Sequence, residues 1–137
     1  MPTNTVTSTR LSSSVKTMLV SNEAGIDLTT NYAVVIDPID IEGYDRTTIQ
    51  FRNPDGDAQT AQVWGTLYGN PATVGTAATP ASSQWVQIGD DIAIGATSSA
   101  LKSISTTGLR KLCVRVKSAA TYTTLIEQCL VHCQGTI

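Results

Sequence analysis

The sequence predicts an all-β protein, a single domain of antiparallel strands closed into a sandwich or a barrel. Three observations predict it. Hydroxyl residues are abundant, 21 Thr and 12 Ser among 137 residues, and the branched β-carbon of threonine suits a half-buried pleated surface. Short runs of β-branched and aromatic residues recur along the chain with turn residues between them. Charged residues make up only 15% of the chain, against about 25% in an average domain, so hydroxyls cover much of the outside. A chain of this length buries roughly 68–70% of the surface its unfolded form exposes, so neither a metal nor a disulfide is needed to hold one core.

Taken in order, residues 1–13 come first, a hydroxyl-rich segment whose one charge is Arg10. It has too little apolar area to order itself and is expected to be an extended N-terminal arm, able to pair with a sheet edge of its own or a neighbour's. The sandwich domain is then 14–137. Its strand signals begin with SVKTMLV (14–20), YAVVID (32–37), RTTIQFR (46–52) and TAQVWGTLYG (60–69). Asp37-Pro38 and Asn53-Pro54-Asp55-Gly56 punctuate them, where Pro sets φ and Asp and Gly tolerate the corner. The stretch GNPATVGTAATPASS (69–83) carries no charge and is long for a hairpin connection. It is expected to be either an attachment loop or plain surface. QWVQIG (84–89) and a short IAIG (92–95) follow, with Gly89-Asp90-Asp91 as the corner between them.

LKSIS (101–105), LRKLCVRVK (109–117) and TYTTLIEQCLVHC (121–133) complete the set. The last also fits a helical stripe, but its threonines and Val131 favour strand. The final two are expected to form a hairpin with Val116 opposite Tyr122, Leu112 opposite Ile126 and Lys111 opposite Glu127, which matches apolar to apolar and pairs one opposite charge. Alternation places Lys111, Arg115 and Lys117 on one face of their strand, expected to be solvated. The sequence shows no internal repeat.

Chemistry finds little purchase. Net charge is −2 with scattered cations, which lacks the electrostatic footprint of a nucleic-acid binder. The longest apolar run, YAVVI (32–36), is too short to span a membrane. MPTNTVTSTR has no signal-peptide pattern, and three cysteines with no sequon at any of five asparagines fit reduced thiols in a protein made in the cytoplasm. His132 lies beside Cys133 and near Cys129, yet on a strand the histidine points away from both cysteines, against a zinc site and against a Cys–His nucleophile. Asp37, Asp40, Glu42 and Asp45 form a carboxylate cluster in the sequence, but Asp37, Asp40 and Asp45 fall at bends or strand ends, where carboxylates accept backbone N–H groups. Trp64 and Trp85 lie within strand signals and are expected in the core. The Gly-Asp-Asp triplet matches the metal-binding acids of RNA polymerases, but one domain cannot supply the other subdomains such an enzyme needs. If Asp90 and Asp91 matter, they are expected to form a polar rim at a subunit contact. No catalytic, cofactor-binding or metal-ligating residue is assigned, no cofactor is expected, and the chain is read as a non-enzyme.

The arm MPTNTVTSTRLSSS, the bland loop GNPATVGTAATPASS and the run WVQIGDDIAIGATSSALKSISTTGLRKLCVRVK together resemble small all-β virion proteins of tailed bacteriophages, above all capsid decoration (cement) proteins. The likeness is one of style over most of the chain, and it transfers no site residues. It implies a β-sandwich, with a jelly roll among its forms, that assembles as a homo-oligomer, often a trimer, and clamps major capsid protein subunits on the virion surface. It implies no direct contact with nucleic acid or membrane. The alternatives are a tail or head–tail connector component, or a carbohydrate- or receptor-binding module using Trp64, Trp85 or Tyr44 as stacking platforms.

Overall fold

The computed structural model describes residues 15–22, 28–80, 82–120 and 128–136. Nine strands occur among them: β1 Val15–Asn22, β2 Ala33–Asp40, β3 Arg46–Asn53, β4 Gln59–Thr66, β5 Val86–Gln87, β6 Ile92–Ile94, β7 Ser98–Ser105, β8 Lys111–Ser118 and β9 Gln128–Thr136. The arm 1–13 lies outside the described residues.

The strands form two sheets, β1-β9-β3-β7 and β2-β8-β4-β5, with β6 also pairing β4. Every pairing is antiparallel. The pairs are nested: β1 with β9, β2 with β8, β3 with β7, and β4 with β5 and β6. Such a chain is one long hairpin rolled up so that its paired arms fall alternately into two sheets, which is a jelly roll. Each sheet ends on two edge strands, β1 and β7 in one and β2 and the β5–β6 line in the other.

Period-two alternation explains the packing. On β3, Thr47, Ile49, Phe51 and Asn53 face inward and are buried, while Arg46, Gln50 and Arg52 face solvent. On β9, Cys129, Val131 and Cys133 point inward and His132 and Gln134 outward. These meet Val63, Leu112, Val114 and Val116 from the opposite sheet in one core. Full burial of each large apolar side chain contributes roughly 1.5–3 kcal/mol, so the inter-sheet layer supplies most of the driving force. Pro38 sits inside β2, where the register shifts twice; β2 is an edge strand, so the missing N–H costs no ladder bond.

Two expectations change. β8 and β9 do not form a hairpin: β8 is flanked on both sides, by β2 and β4, while β9 lies in the other sheet between β1 and β3. Lys111 stands between Asp40 and Thr66 in the register, and Glu127 falls outside the described residues. The reason is that β8 is buried on both faces, with Leu112, Cys113, Val114, Arg115 and Val116 all covered; its alternation marks two interiors rather than one interior and water.

The Gly89-Asp90-Asp91 segment is also not a corner. Trp64 pairs with Gln87 and Ala61 with Ile92, so three steps along β4 match five along its partner. β5 and β6 are halves of one edge strand, interrupted by a bulge that loops out two residues. Gly89 adopts φ 73 there, a conformation open to glycine at little cost.

Candidate interaction site

The second interior lies on the outer face of the β2-β8-β4-β5 sheet, beneath the long loop between β4 and β5. Trp64, Val74, Trp85 and Cys113 form its apolar part. At its centre is Arg115, the largest fully buried side chain among the described residues. Its Nη1 donates to the carbonyls of Gly75 (3.1 Å) and Ala77 (2.7 Å), and its Nη2 to that of Ala78 (3.2 Å) and to Gln62 Oε1 (2.7 Å). The guanidinium carbon lies 4.6 Å from the Tyr32 ring centroid and 5.2 Å from that of Trp64. A rigid fork of donors above two aromatic faces is an arrangement arginine makes and lysine cannot. The Nε atom has no hydrogen-bond partner among the described residues.

Gln62 connects this buried cation to the bulge. Its Oε1 accepts from Arg115 and also from Trp64 Nε1 (3.0 Å), and its Nε2 donates to Asp91 Oδ1 (3.0 Å). Gln87 Nε2 donates to the same oxygen at 2.7 Å. Asp91 thus holds two carboxamides and sits one amide away from Arg115. Burial lowers the Arg115 pKa and raises that of Tyr32, with Asp91 as the next influence on the phenol. Burial is also the main reason the Cys113 thiol is pushed up to about 12.

The same loop is fastened at its ends. Trp85 Nε1 donates to the Ala72 carbonyl (2.6 Å), Ala72 N to Gln84 Oε1 (2.8 Å), and Thr66 Oγ1 to the Gln84 carbonyl (2.7 Å). The loop that the sequence leaves open between attachment and plain surface is therefore clamped from beneath by a charge, at Gly75, Ala77 and Ala78. The sequence placed Arg115 on a solvated face; the structure buries it completely, because the loop folds back over β8 and its carbonyls replace water. No local signal in LRKLCVRVK announces that. Trp64 and Trp85 are buried as expected, though in this second interior and not between the sheets.

The other sites singled out in the sequence disperse. Cys129 and Cys133 are buried while His132 is exposed on the opposite face of β9. Asp40 Oδ1 accepts from the Glu42 backbone at 3.1 Å, and Glu42 pairs with Arg110 at 3.4 Å on the surface. Among the described residues no three of His, Cys, Asp or Glu are placed to hold a metal ion. In the Asn53-Pro54-Asp55-Gly56 turn, Asn53 Oδ1 accepts from Asp55 N (2.9 Å) while its Nδ2 donates to the carbonyls of Asp57 (2.8 Å) and Gly95 (3.0 Å). Asp55 is only 2% exposed. Gln59 Nε2 donates to its Oδ2 at 3.4 Å, yet Asp55 Oδ1 and Gln59 Oε1 have no donor, and burial raises the carboxyl's pKa.

Beside the clamped loop lies an apolar groove of about 390 Å³, lined by residues that include Leu67, Tyr68, Val86, Ile88 and Leu109. It is the feature that the sequence reading missed altogether.

No family model matches the sequence, and no curated protein does. Solved structures do. A Bacillus endospore appendage protein, from a family of disulfide-linked pili, aligns over 90% of this chain and 89% of its own, at 15% identity and a TM-score of 0.50. The SPBc2 prophage-derived protein YomS aligns over 88% and 95%, at 6% identity and a TM-score of 0.51. At these identities the likeness shows a shared fold alone. Tobacco streak virus coat protein aligns over 85% of both chains at 11% identity with a TM-score of 0.36, a level from which nothing further follows.

Proposed function

We propose that this chain is a structural protein of a bacteriophage virion, and within that class a non-enzymatic capsid decoration protein. It binds the assembled lattice of major capsid protein as a homo-oligomer, a trimer in the simplest form, on the particle surface. The observation that carries the reading is the use made of a buried cation: Arg115 fastens a long, uncharged loop to the sheet and so gives a binding surface a fixed shape. Preorganised surfaces suit recognition because less ordering entropy is lost on contact. The outward faces of β3 and β9 add hydroxyl, amide and imidazole groups, including Thr48, Gln50, His132 and Gln134, which suit a wet interface.

The neighbouring readings have less behind them. Trp64 and Trp85, the stacking platforms of a carbohydrate-binding module, are 8% and 4% exposed, and the Tyr44 ring already carries the Lys16 ammonium 4.5 Å from its centroid. Fibres cross-linked through disulfides would need accessible thiols, whereas Cys113, Cys129 and Cys133 are all buried and reduced.

Adding the purified protein to particles that lack it tests the reading. Decorated particles are expected to survive heat or osmotic shock better than bare ones, because a ligand that binds only the assembled shell stabilises it by mass action. Protein that neither sediments with particles nor alters their resistance would contradict the proposal.

A further inference from the structure

The two tryptophans and Arg115 account for the inner side of the long loop, but its outer side has no such explanation. From Ala58 to Gly89 the chain contains no Asp, Glu, Lys, Arg or His, whereas no other uncharged stretch exceeds ten residues. This neutral tract is not simply buried. Leu67, Tyr68 and Val86 are 64%, 54% and 63% exposed, half of the exposed large hydrophobic residues described. All three line the apolar groove, with Ile88 and Leu109 at its floor. Depletion of charge around exposed aliphatic and aromatic side chains marks the centre of protein interfaces.

We propose that this groove is the surface through which copies of the chain associate, with a second copy of the chain as its occupant. The inference rests on the homo-oligomeric reading above and names the contact it requires. In a closed symmetric assembly, residues near the axis meet their own counterparts, so any charge there faces a like charge and must be desolvated against it. The 58–89 tract is the part of this molecule where that conflict does not arise. Next to Leu109 of the groove, Arg110 forms an ion pair with Glu42 at 3.4 Å, both side chains exposed, which suits a neutralised polar rim. Tyr68 brings a large, rigid contact with few rotamers to freeze, and Arg115 holds the adjoining loop in place beforehand.

The test is sedimentation velocity on the full chain over a wide dilution series, with Leu67→Asp and Val86→Asp compared with Leu101→Asp, an exposed position on β7. Unmutated protein is expected to self-associate, each groove variant to weaken association at least about tenfold, and Leu101→Asp to leave it unchanged. Circular dichroism checks folding. Should the groove variants fail to fold, hydrogen exchange on the unmutated chain decides: amides in 66–69 and 84–88 must slow with rising concentration. A strictly monomeric chain, full association in the groove variants, equal loss in Leu101→Asp or concentration-independent exchange would each overturn the proposal. A monomer that still binds capsids would sink this contact and leave the decoration reading intact; an oligomer that never binds particles would do the reverse.

Discussion

Arg115 is a cation in an interior, and among the described residues its hydrogen-bond partners are three backbone carbonyls and a carboxamide, so its stability depends on the carbonyls it has collected. Replacing it with Ala leaves the Gly75, Ala77 and Ala78 carbonyls without their donor; the expected cost is about 3 kcal/mol in chemical denaturation. Lys cannot reproduce the fork, so Arg115→Lys is expected to recover less than half of that. Faster hydrogen exchange at 75–78 in both variants is the accompanying signature. Asp55 presents the opposite case, a buried carboxyl with too few donors. Its pKa is raised, chiefly by burial, with Gln59 pulling it down and Asp57 pushing it up. A group raised in the folded state gives its full stabilisation below the unfolded value, near 3.8, and loses it as pH rises through the folded value. Asp55→Asn, which supplies a donor where Asp55 Oδ1 and Gln59 Oε1 lack one, is therefore expected to stabilise the protein at neutral pH by about 1 kcal/mol. Thermal melts should show that gain shrinking as the pH falls toward 4 or below. Replacing Asp90 and Asp91 together with Asn is expected to leave the fold intact, because the carboxamide oxygen introduced at the second position can still accept from Gln62 and Gln87. A melting temperature lowered by many degrees would show that the carboxylate charge itself balances Arg115.

At the scale of elements, the turn between β6 and β7 is strained. Thr97 adopts φ 48, a left-handed conformation that costs a non-glycine residue about 1–2 kcal/mol, while its N–H donates to the Asp55 carbonyl at 2.7 Å. Thr97→Gly is expected to stabilise the fold by about 0.5–1 kcal/mol on thermal unfolding; a loss instead would mean that the Thr97 Oγ1 bond to the Ala96 carbonyl, 2.8 Å long, outweighs the strain. Elements were also where the sequence was most legible. Turn residues such as Asn53-Pro54-Asp55-Gly56 and Gly69-Asn70-Pro71 bound the strands because their φ preferences are local. The alternation on β9 separated His132 from its neighbouring cysteines for the same reason. Pairing was not legible. LRKLCVRVK has the pattern of a hairpin arm, but what buries Cys113 and Arg115 is a loop some forty residues earlier in the chain, and no spacing rule reports contacts over that distance. The Asp90–Asp91 bulge has no local signature because β5 and β6 are too short to reveal that they share one line along β4.

At the scale of the molecule, the jelly roll accounts for both what is buried and what is left outside. Nesting the pairs puts the Cys129–Val131–Cys133 stripe against Leu112, Val114 and Val116, and it leaves Leu67, Tyr68 and Val86 of the uncharged 58–89 tract on the surface, lining the groove. The sandwich itself follows from composition and alternation. The clamped loop and the groove do not, since each arises from residues far apart in sequence that only the closed fold brings together. The virion reading therefore rests on how this surface is built, and quantitative mass spectrometry of purified phage particles tests it most directly. A decoration protein is predicted to be present at a fixed ratio to the major capsid protein, in copy numbers set by the lattice. Absence from purified particles, or a few copies confined to one vertex or the tail, would contradict it.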